Sequence, residues 1–326
     1  MSSPAYELTP CPVCGAQADE QVAGPEELRA EVEALWAFHT RRLRPETPPE
    51  HLTDRVAFSQ HPPLRVARCT VCGLVYRNPR ERAYELRDVY AGEEPAPEVL
   101  AALHDTQRSA YAAQARRLTE AAGGPGRVLE VGSYVGGFLA AATEVGWRAE
   151  GVDVNATASR FARQRGFVVH EGDLASFVGA GGFDAVAIWN CFDQLDDPRA
   201  AAHRAGELLR RGGWLAIRVP NGAFYATVRA RLDGPGAPLA TALLAHNNLL
   251  TFPYRHGFTI GSLARLLDRT GFTIEHLYGD TLVPIADEWT QEWAAWEERV
   301  VKGALRVLTR EEAERAPWLE VYARRG

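Results

Sequence analysis

Lysine is all but missing from this 326-residue chain: Lys302 is the sole example, so nearly all of its 36 basic Lys and Arg side chains are arginine. Methionine occurs only at position 1. With abundant Ala, Gly and Pro, these biases describe a GC-rich coding sequence and leave function open. Positive charge is not in excess either. A formal net charge of -6 argues against a general nucleic-acid binder, which needs a basic surface to neutralise phosphates. No stretch approaches the roughly 18–20 uninterrupted apolar residues of a membrane span. The first residues lack the basic start and apolar stretch of a signal peptide, so the expected location is cytoplasmic. Cysteine is scarce, with five residues; in a reducing compartment paired cysteines are metal ligands more often than disulfides. What remains is ordinary globular composition, 46% hydrophobic and 24% charged, with length for one large domain and a small one.

The chain divides into four stretches. Residues 1 to about 90 hold two Cys-x-x-Cys pairs separated by a charged, proline-punctuated insert. Within it Leu28, Val32, Leu35, Trp36 and Leu43 predict a helix over 25–44, ended by the prolines of 45–49. Residues 98–122 predict an amphipathic helix, stopped by Gly123-Gly-Pro-Gly126. Strand-like runs at 127–131, 149–152, 168–170, 185–189 and 214–219 then alternate with helix-like runs at 137–145, 156–164 and 198–209. Such alternation predicts an α/β fold with a doubly wound parallel sheet. Beyond 221 come a Gly- and Pro-rich loop, a helix at 260–270, a strand at 272–278, a tryptophan-bearing helix over 287–308 and a last strand at 318–324.

Val128-Leu-Glu-Val-Gly-Ser-Tyr-Val-Gly-Gly137 joins a buried strand to a helix. Gly132, Gly136 and Gly137 let the backbone approach a ligand that a Cβ would exclude, and the helix start offers free N–H groups. The loop is not G-x-G-x-x-G, because Tyr134 stands at its second glycine, and it lacks the Gly-Lys-Ser/Thr of a phosphate loop. Asp153 ends the next strand 21 residues after Gly132, where a carboxylate can accept ribose hydroxyls. Asp173 follows the third strand, and a fourth buried strand, 183–189, ends in polar Asn190. Leu209-Arg-Arg-Gly-Gly-Trp-Leu215 closes the series as a helix-to-strand turn. Taken alone, the loop reads equally as a glycine turn that packs helix on strand.

Leu129-Glu-Val-Gly132…Gly137, Gly151-Val-Asp153, Gly172-Asp173, Phe183-Asp184…Asp197-Pro198 and Leu208…Gly212-Gly213 resemble, in order, the motifs of class I S-adenosylmethionine-dependent methyltransferases, over about residues 100–280. The resemblance implies a Rossmann-like sheet and S-adenosylmethionine as cofactor. By it, Glu130 and Gly132 line the methionine portion and Asp153 the ribose. Asp173 and Leu174 frame the adenine, and Asn190 lies near the sulfonium. Ser133, Tyr134, Gly136, Gly137 and Val154 complete the expected cofactor-binding set. Two positions depart from the pattern. Tyr134 stands where many relatives have glycine, and Gln194 stands where many small-molecule enzymes of the family have histidine.

Cys11-Pro-Val-Cys14-Gly and Cys69-Thr-Val-Cys72-Gly are matched knuckles, each aiming two thiolates at one metal. Together they offer a closed tetrahedral S₄ site of the kind that holds structural zinc; a redox dithiol and unpaired surface thiols are the alternatives. The 54 residues between the pairs exceed the usual ribbon spacing, so they form an insertion between knuckles. The arrangement resembles sugar and natural-product methyltransferases with an N-terminal zinc-binding domain. The expected organisation is a zinc-knuckle domain over 1–90 and a methyltransferase domain over 91–326. Its cofactor core covers about 125–220, with substrate-side insertions near 221–260 and 287–316. Cys191, beside the fourth strand's end, reads as a small buried hydrophobe or as a group facing the cofactor.

Methyl transfer from a sulfonium is an in-line displacement, so the protein aligns the acceptor and removes a proton. The segment 245–259 is dense in His, Asn, Tyr and Arg, and by the resemblance lies over the acceptor. His256 is the expected base, His246 the second candidate, and Tyr134 or Tyr254 a positioning group; His256 capping a helix or pairing with a carboxylate is the structural alternative. His39, His51, His61 and His104 carry no assigned role. Trp289, Trp293 and Trp296 at helical spacing read as packing or as a face for a homodimer. The expected reaction methylates oxygen or carbon of a small polar molecule, a sugar or biosynthetic intermediate. Methylation of tRNA or protein is the alternative, disfavoured by 11 arginines against 13 acidic residues in the first 90. A non-catalytic, regulatory S-adenosylmethionine-binding module is a third reading.

Overall fold

The computed structural model describes residues 6–49, 52, 62–82, 91–92, 95–284, 286–309 and 312–326. His51 and His61 lie outside the described residues. Along the chain come β1 (Tyr6–Glu7), β2 (Asp19–Ala23), α1 (Pro25–Arg42), β3 (Val66–Cys69), β4 (Val75–Arg77), β5 (Arg80–Glu81) and α2 (Pro97–Ala122). Next are β6 (Arg127–Val131), α3 (Gly137–Glu144), β7 (Arg148–Asp153), α4 (Ala156–Gln164), β8 (Val168–Glu171), β9 (Phe183–Trp189), α5 (Pro198–Leu208) and β10 (Leu209–Pro220). The remainder holds α6 (Gly222–Arg229), α7 (Ala237–Ala245), β11 (His256–Gly257), α8 (Ile260–Arg269), β12 (Phe272–Asp280), α9 (Glu292–Thr309) and β13 (Trp318–Arg325). No helix among the described residues is long and apolar enough to cross a membrane.

Two compact units result, each assembled from three stretches. One contains Met1–Arg80, Val219–Leu263 and Tyr278–Leu319; the other contains Glu81–Arg218, Ala264–Leu277 and Glu320–Gly326.

The second unit carries a seven-stranded sheet in the order β12-β13-β10-β9-β6-β7-β8. The pairs β10/β9, β9/β6, β6/β7 and β7/β8 are all parallel, which makes this the doubly wound α/β fold expected from the alternation. Strands covered on both faces need apolar side chains throughout; Ala185, Val186, Ala187 and Ile188 of β9 are completely buried. The chain runs outward from β6 to β8, then returns to β9 on the other side of β6. The carboxyl ends of β6 and β9 therefore flank the topological switch point, where open α/β sheets bind ligands. Helix starts follow their sequence signals. Asn155 Oδ1 accepts Ala158 N–H at 2.7 Å to cap α4. Asp197 accepts the N–H groups of Arg199 and Ala200 to cap α5, with Pro198 at its first position. β10 starts at Leu209, five residues before the predicted strand. A register irregularity between Leu209 and Trp214 absorbs the Arg-Arg-Gly-Gly stretch that reads as a turn.

In the first unit a four-stranded sheet runs β11-β4-β3-β2, with all three pairs antiparallel. Helix α1 buries Leu28, Leu35 and Phe38 in a cluster with Phe224, Leu244 and Phe252. A carboxylate lies within this apolar cluster. Glu31, 1% exposed, accepts Arg229 Nε at 2.7 Å, Thr251 N–H at 2.8 Å and Tyr225 Oη at 3.2 Å. One side chain thus ties α1 to α6 and to the segment after α7. Breaking a buried, hydrogen-bonded pair strands its partners. Glu31→Ala should lower the unfolding free energy by about 3 kcal/mol, read as a shift of the urea midpoint; a shift under about 1 kcal/mol would show that the cluster carries the tie without it.

Candidate functional site

The loop that leaves β6 is held by one carboxylate. Asp153, at the end of β7, accepts Tyr134 N–H through Oδ2 at 2.7 Å and Asn155 N–H through Oδ1 at 2.8 Å. Gly132 sits at φ +74°, in the left-handed region, and a Cβ there would lie 2.8 Å from Cys191 Sγ. Glycine is therefore required by both backbone angle and space. Gly137 has a different reason: a Cβ there would meet Gln107 of α2 at 2.3 Å, so its bareness lets α2 pack on the loop. His104, also on α2, places Nδ1 2.8 Å from Val135 O and closes the loop from that side. The sequence assigned this histidine no role.

Two buried polar atoms here have no hydrogen-bond partner: Glu130 Oε2 and Ser133 Oγ. Glu130 ends near Asp153, and burial first, then that neighbouring negative charge, pushes its carboxyl well above the usual range. Asp153 is also raised by burial, its two N–H bonds opposing the shift. Groups buried without partners cost free energy unless something satisfies them. A buried acceptor beside a glycine turn fits a ligand that brings its own donors, while Ser133 Oγ packs against Gly151 of β7. Val154 follows Asp153 directly and is half-buried. Asp173 Oδ1 accepts Ser176 N–H at 2.7 Å, and Leu174 is buried beyond β8.

At the switch point Asn190 adopts φ +58°, a strained angle for a residue with a side chain. Its amide is fully engaged. Oδ1 accepts a hydrogen bond from Arg218 of β10, and Nδ2 donates to Tyr111 Oη at 3.1 Å. Burial, and then Glu130, raises the Tyr111 hydroxyl far above its ordinary value. Cys191 Sγ donates to Val131 O at 3.3 Å, and its thiol is pushed up by burial and by Asp193, Asp153 and Glu130. Cys191 is half-buried and packs against the loop at Gly132.

Asp193 stands two residues further, 1% exposed. No donor from another described residue reaches either carboxylate oxygen, and burial pushes the group up to about 8. Tyr111 and Arg218 were not singled out as site residues from sequence, whereas Asp193 stood among the candidates that follow the fourth strand. Arg218 could have been, as a lone charge in the apolar run 214–219; Tyr111 gives no such signal on an amphipathic helix.

The residues expected to act on the acceptor are spread over both units. In the second, Tyr134 packs against the cluster of Leu100, Val135 and Ala158. In the first, His246 lies edge-on to Phe38 at 4.9 Å, and neither ring nitrogen is hydrogen-bonded. Burial lowers its pKa to about 4, with Arg42 and Lys302 adding to the shift and Glu298 opposing it. His256 is 1% exposed on β11, paired with Tyr76 of β4. Tyr254 Oη accepts from Asn248 at 2.6 Å.

The two knuckles converge in the first unit. All four sulfur atoms lie within 4.8 Å of one another, with Cys11–Cys72 and Cys14–Cys69 both at 3.5 Å. A tetrahedral zinc with Zn–S bonds of about 2.3 Å separates its sulfurs by roughly 3.8 Å, so the cluster has the right size. Gly15 and Gly73 donate to the carbonyls of Cys11 and Cys69 at 2.8 and 2.9 Å, at φ +78° and +75°. Pairing of β2 with β3 sets Asp19 opposite Cys69 and so draws the distant pairs together.

The state of Asp193 has a thermodynamic signature. Its folded pKa of about 8 exceeds the ordinary 3.8, so the folded protein holds the proton more tightly than the unfolded chain. Unfolding releases that proton between the two values, and stability falls as pH rises, by up to about 1.4 kcal/mol per pH unit. Urea unfolding of Asp193→Asn should therefore exceed wild type by a margin that widens from about pH 5 to about pH 8. Equal pH slopes for the two proteins would mean that folded Asp193 is ionised.

A sequence profile of the methyltransferase domain family matches residues 103–277. No curated protein matches the chain. Solved structures similar to it include an S-adenosylmethionine-dependent methyltransferase from Archaeoglobus fulgidus, 20% identical, covering 67% of this chain and 94% of that one at a TM-score of 0.43. A second, from Mesorhizobium loti, is 20% identical and covers 61% and 90% at 0.41. The plantazolicin methyltransferase BpumL, solved with SAH, is 14% identical and covers 75% and 97% at 0.44. The matched region spans more than half of the 326 residues and carries the switch-point loop and its carboxylates. On that match the chain belongs to the methyltransferase domain family and is an S-adenosylmethionine-dependent methyltransferase.

Proposed function

We propose that this enzyme methylates oxygen or carbon of a small polar acceptor, a sugar or natural-product intermediate, and that its four N-terminal cysteines hold a structural zinc. The observation that carries the site assignment is the pair of buried carboxyls, Glu130 and Asp153, at the ends of adjacent parallel strands. The bound donor supplies an electrophilic methyl group on a sulfonium. Glu130 Oε2, buried and unsatisfied, takes the amino group of the methionine portion. Asp153 has lone pairs left for the ribose hydroxyls beyond its two N–H bonds. Asp173 and Leu174 border the adenine, and Gly132, Ser133, Tyr134, Gly136, Gly137 and Val154 shape the cradle. Asn190, fixed by Arg218 and Tyr111, holds the turn beside the sulfonium.

His256 is the proposed base. His246 is the weaker proton acceptor, since burial keeps it neutral down to a pH of about 4. The small-acceptor reading draws support from the net charge of -6, which does not favour a polyanionic substrate. A closed S₄ site leaves no open position for water, so zinc here organises the knuckles and takes no part in transfer.

Calorimetry should show the donor binding one site per chain. Glu130→Gln should weaken it by about tenfold or more, the cost of one charge-assisted hydrogen bond. Because the Glu130 carboxyl is raised, donor affinity should fall as pH drops through its folded pKa, and the Gln variant should lose that dependence. Absence of binding by donor and demethylated product alike would sink the assignment. Elemental analysis should find about one zinc per chain, and Cys69→Ser should lose the metal while donor affinity stays. With methyl-labelled donor, label should enter sugar nucleotides or small metabolites; label recovered only in tRNA or protein would overturn the acceptor class.

A further inference from the structure

Helix α9 is apolar on two sides. Its inner side buries Ala294, Leu305 and Thr309 together with Glu298 and Lys302. Those last two form an ion pair inside the unit, Lys302 Nζ also donating to Val283 O at 2.9 Å and Glu298 accepting Ala286 N–H at 3.0 Å. Its outer side shows the reverse preference. Trp296 is 61% exposed, Val300 48%, Val307 77% and Trp293 42%. A helix that buries a charged pair and exposes two tryptophans is arranged for something to cover that outer side.

The spacing identifies what fits. Positions 293, 296, 300, 303 and 307 follow the alternating three-and-four step of a coiled-coil seam. Within it, Gly303 and Ala304 are exposed, and a Cβ at Gly303 would meet no atom within 4 Å. The face therefore carries its own knobs, the tryptophans toward its N-terminal end, and its own hole, toward its C-terminal end. Exposed charge is divided the same way at the two ends, with Glu292 at the start and Arg306 near the finish, while Arg299 stands near the middle.

We propose that this face pairs with the same face of a second copy of the chain, the two helices running antiparallel about a two-fold axis. Antiparallel pairing lays tryptophans over the glycine notch, sets acidic against basic ends and opposes the helix dipoles. A parallel pair would stack tryptophan on tryptophan and like charge on like. An 18-residue helix is about 27 Å long, and one such face buries less than the roughly 800 Å² per partner of a standard interface. The pairing is therefore reversible and concentration-dependent.

Sedimentation velocity of the full-length, zinc-loaded enzyme from about 1 to about 200 µM should show a monomer–dimer equilibrium, shifting with concentration by mass action. Trp296→Glu should raise the dissociation constant at least about tenfold, with circular dichroism and donor binding unchanged. A wild type that stays monomeric throughout overturns the proposal, as does a dimer indifferent to Trp296→Glu. Orientation is read by mild oxidation. Val300→Cys, near the axis, should cross-link to its own copy, whereas Leu308→Cys, far from it, should not; cross-linking at both positions would demand parallel helices.

Discussion

Two turns of the cofactor unit hang on the carboxylate of Asp153. Through one oxygen it fixes the turn leaving β6, and through the other the turn leaving β7, where Asn155 then caps α4. In the proposed site the same group also receives the donor's ribose. Burial opposes its charge, and two backbone N–H groups oppose that burial; the net result is a carboxyl raised in pKa yet held in place. Next to it, Glu130 has no such support and is raised much further. The unit thus stores unfavourable electrostatics at its switch point, where preorganised polar groups are useful. Asn190 belongs to the same economy of position, since Arg218 and Tyr111 hold it at a backbone angle that costs of order 1 kcal/mol or more.

Local pattern revealed much of the central architecture. The strand at Arg127–Val131 and the helix at Ala156–Gln164 have the limits that periodicity predicts, because a buried parallel strand and a capped amphipathic helix write their ends in the sequence. β10 was harder to read: Arg210, Arg211, Gly212 and Gly213 have turn chemistry, yet β9 pairs with Leu209 before them and with Trp214 after them, and a register irregularity takes up the four residues between. Composition also spoke for Cys11, Cys14, Cys69 and Cys72, whose spacing carries its own geometry. The expected role of Tyr134 came from its place in the loop, and nothing local announces that it packs against a cluster containing Leu100 of α2. His256 presents the same difficulty over a longer range, as its strand partner Tyr76 is 180 residues away. Polar side chains dominate the sequence of 245–259, which gives no local sign of how far the segment is buried. Much of it is buried, with Arg77 Nε donating to Pro253 O at 2.7 Å, because a polar segment hides readily when its groups find partners.

The knuckle unit joins short strands through several kinds of tie. Its strands are short, two to five residues, and the cysteine cluster, the Glu31 network and the α1 cluster each join stretches far apart in sequence. Asp19 makes a similar tie, accepting from Arg65, Tyr76 and Asn78 beside the knuckles. Polar ties of this kind confer register as much as stability, since each has only one arrangement that satisfies all its donors.

The threading of that unit has a consequence for the chain's biogenesis. Its first 80 residues leave the ribosome early, but α6, the segment after α7 and α9 follow only after residue 219. At about 5–20 residues per second of synthesis, the N-terminal piece waits many seconds for the helices that cover Leu28, Leu35 and Phe38. The knuckles, by contrast, are complete once Cys72 emerges. A metal captured there would give the nascent chain a local anchor, while the sheet of the other unit, begun later, waits on residues 320–325 of β13. Neither unit can close before its last stretch, 278–319 for one and 320–326 for the other, has been made, so each fold waits on residues more than 200 positions beyond its start.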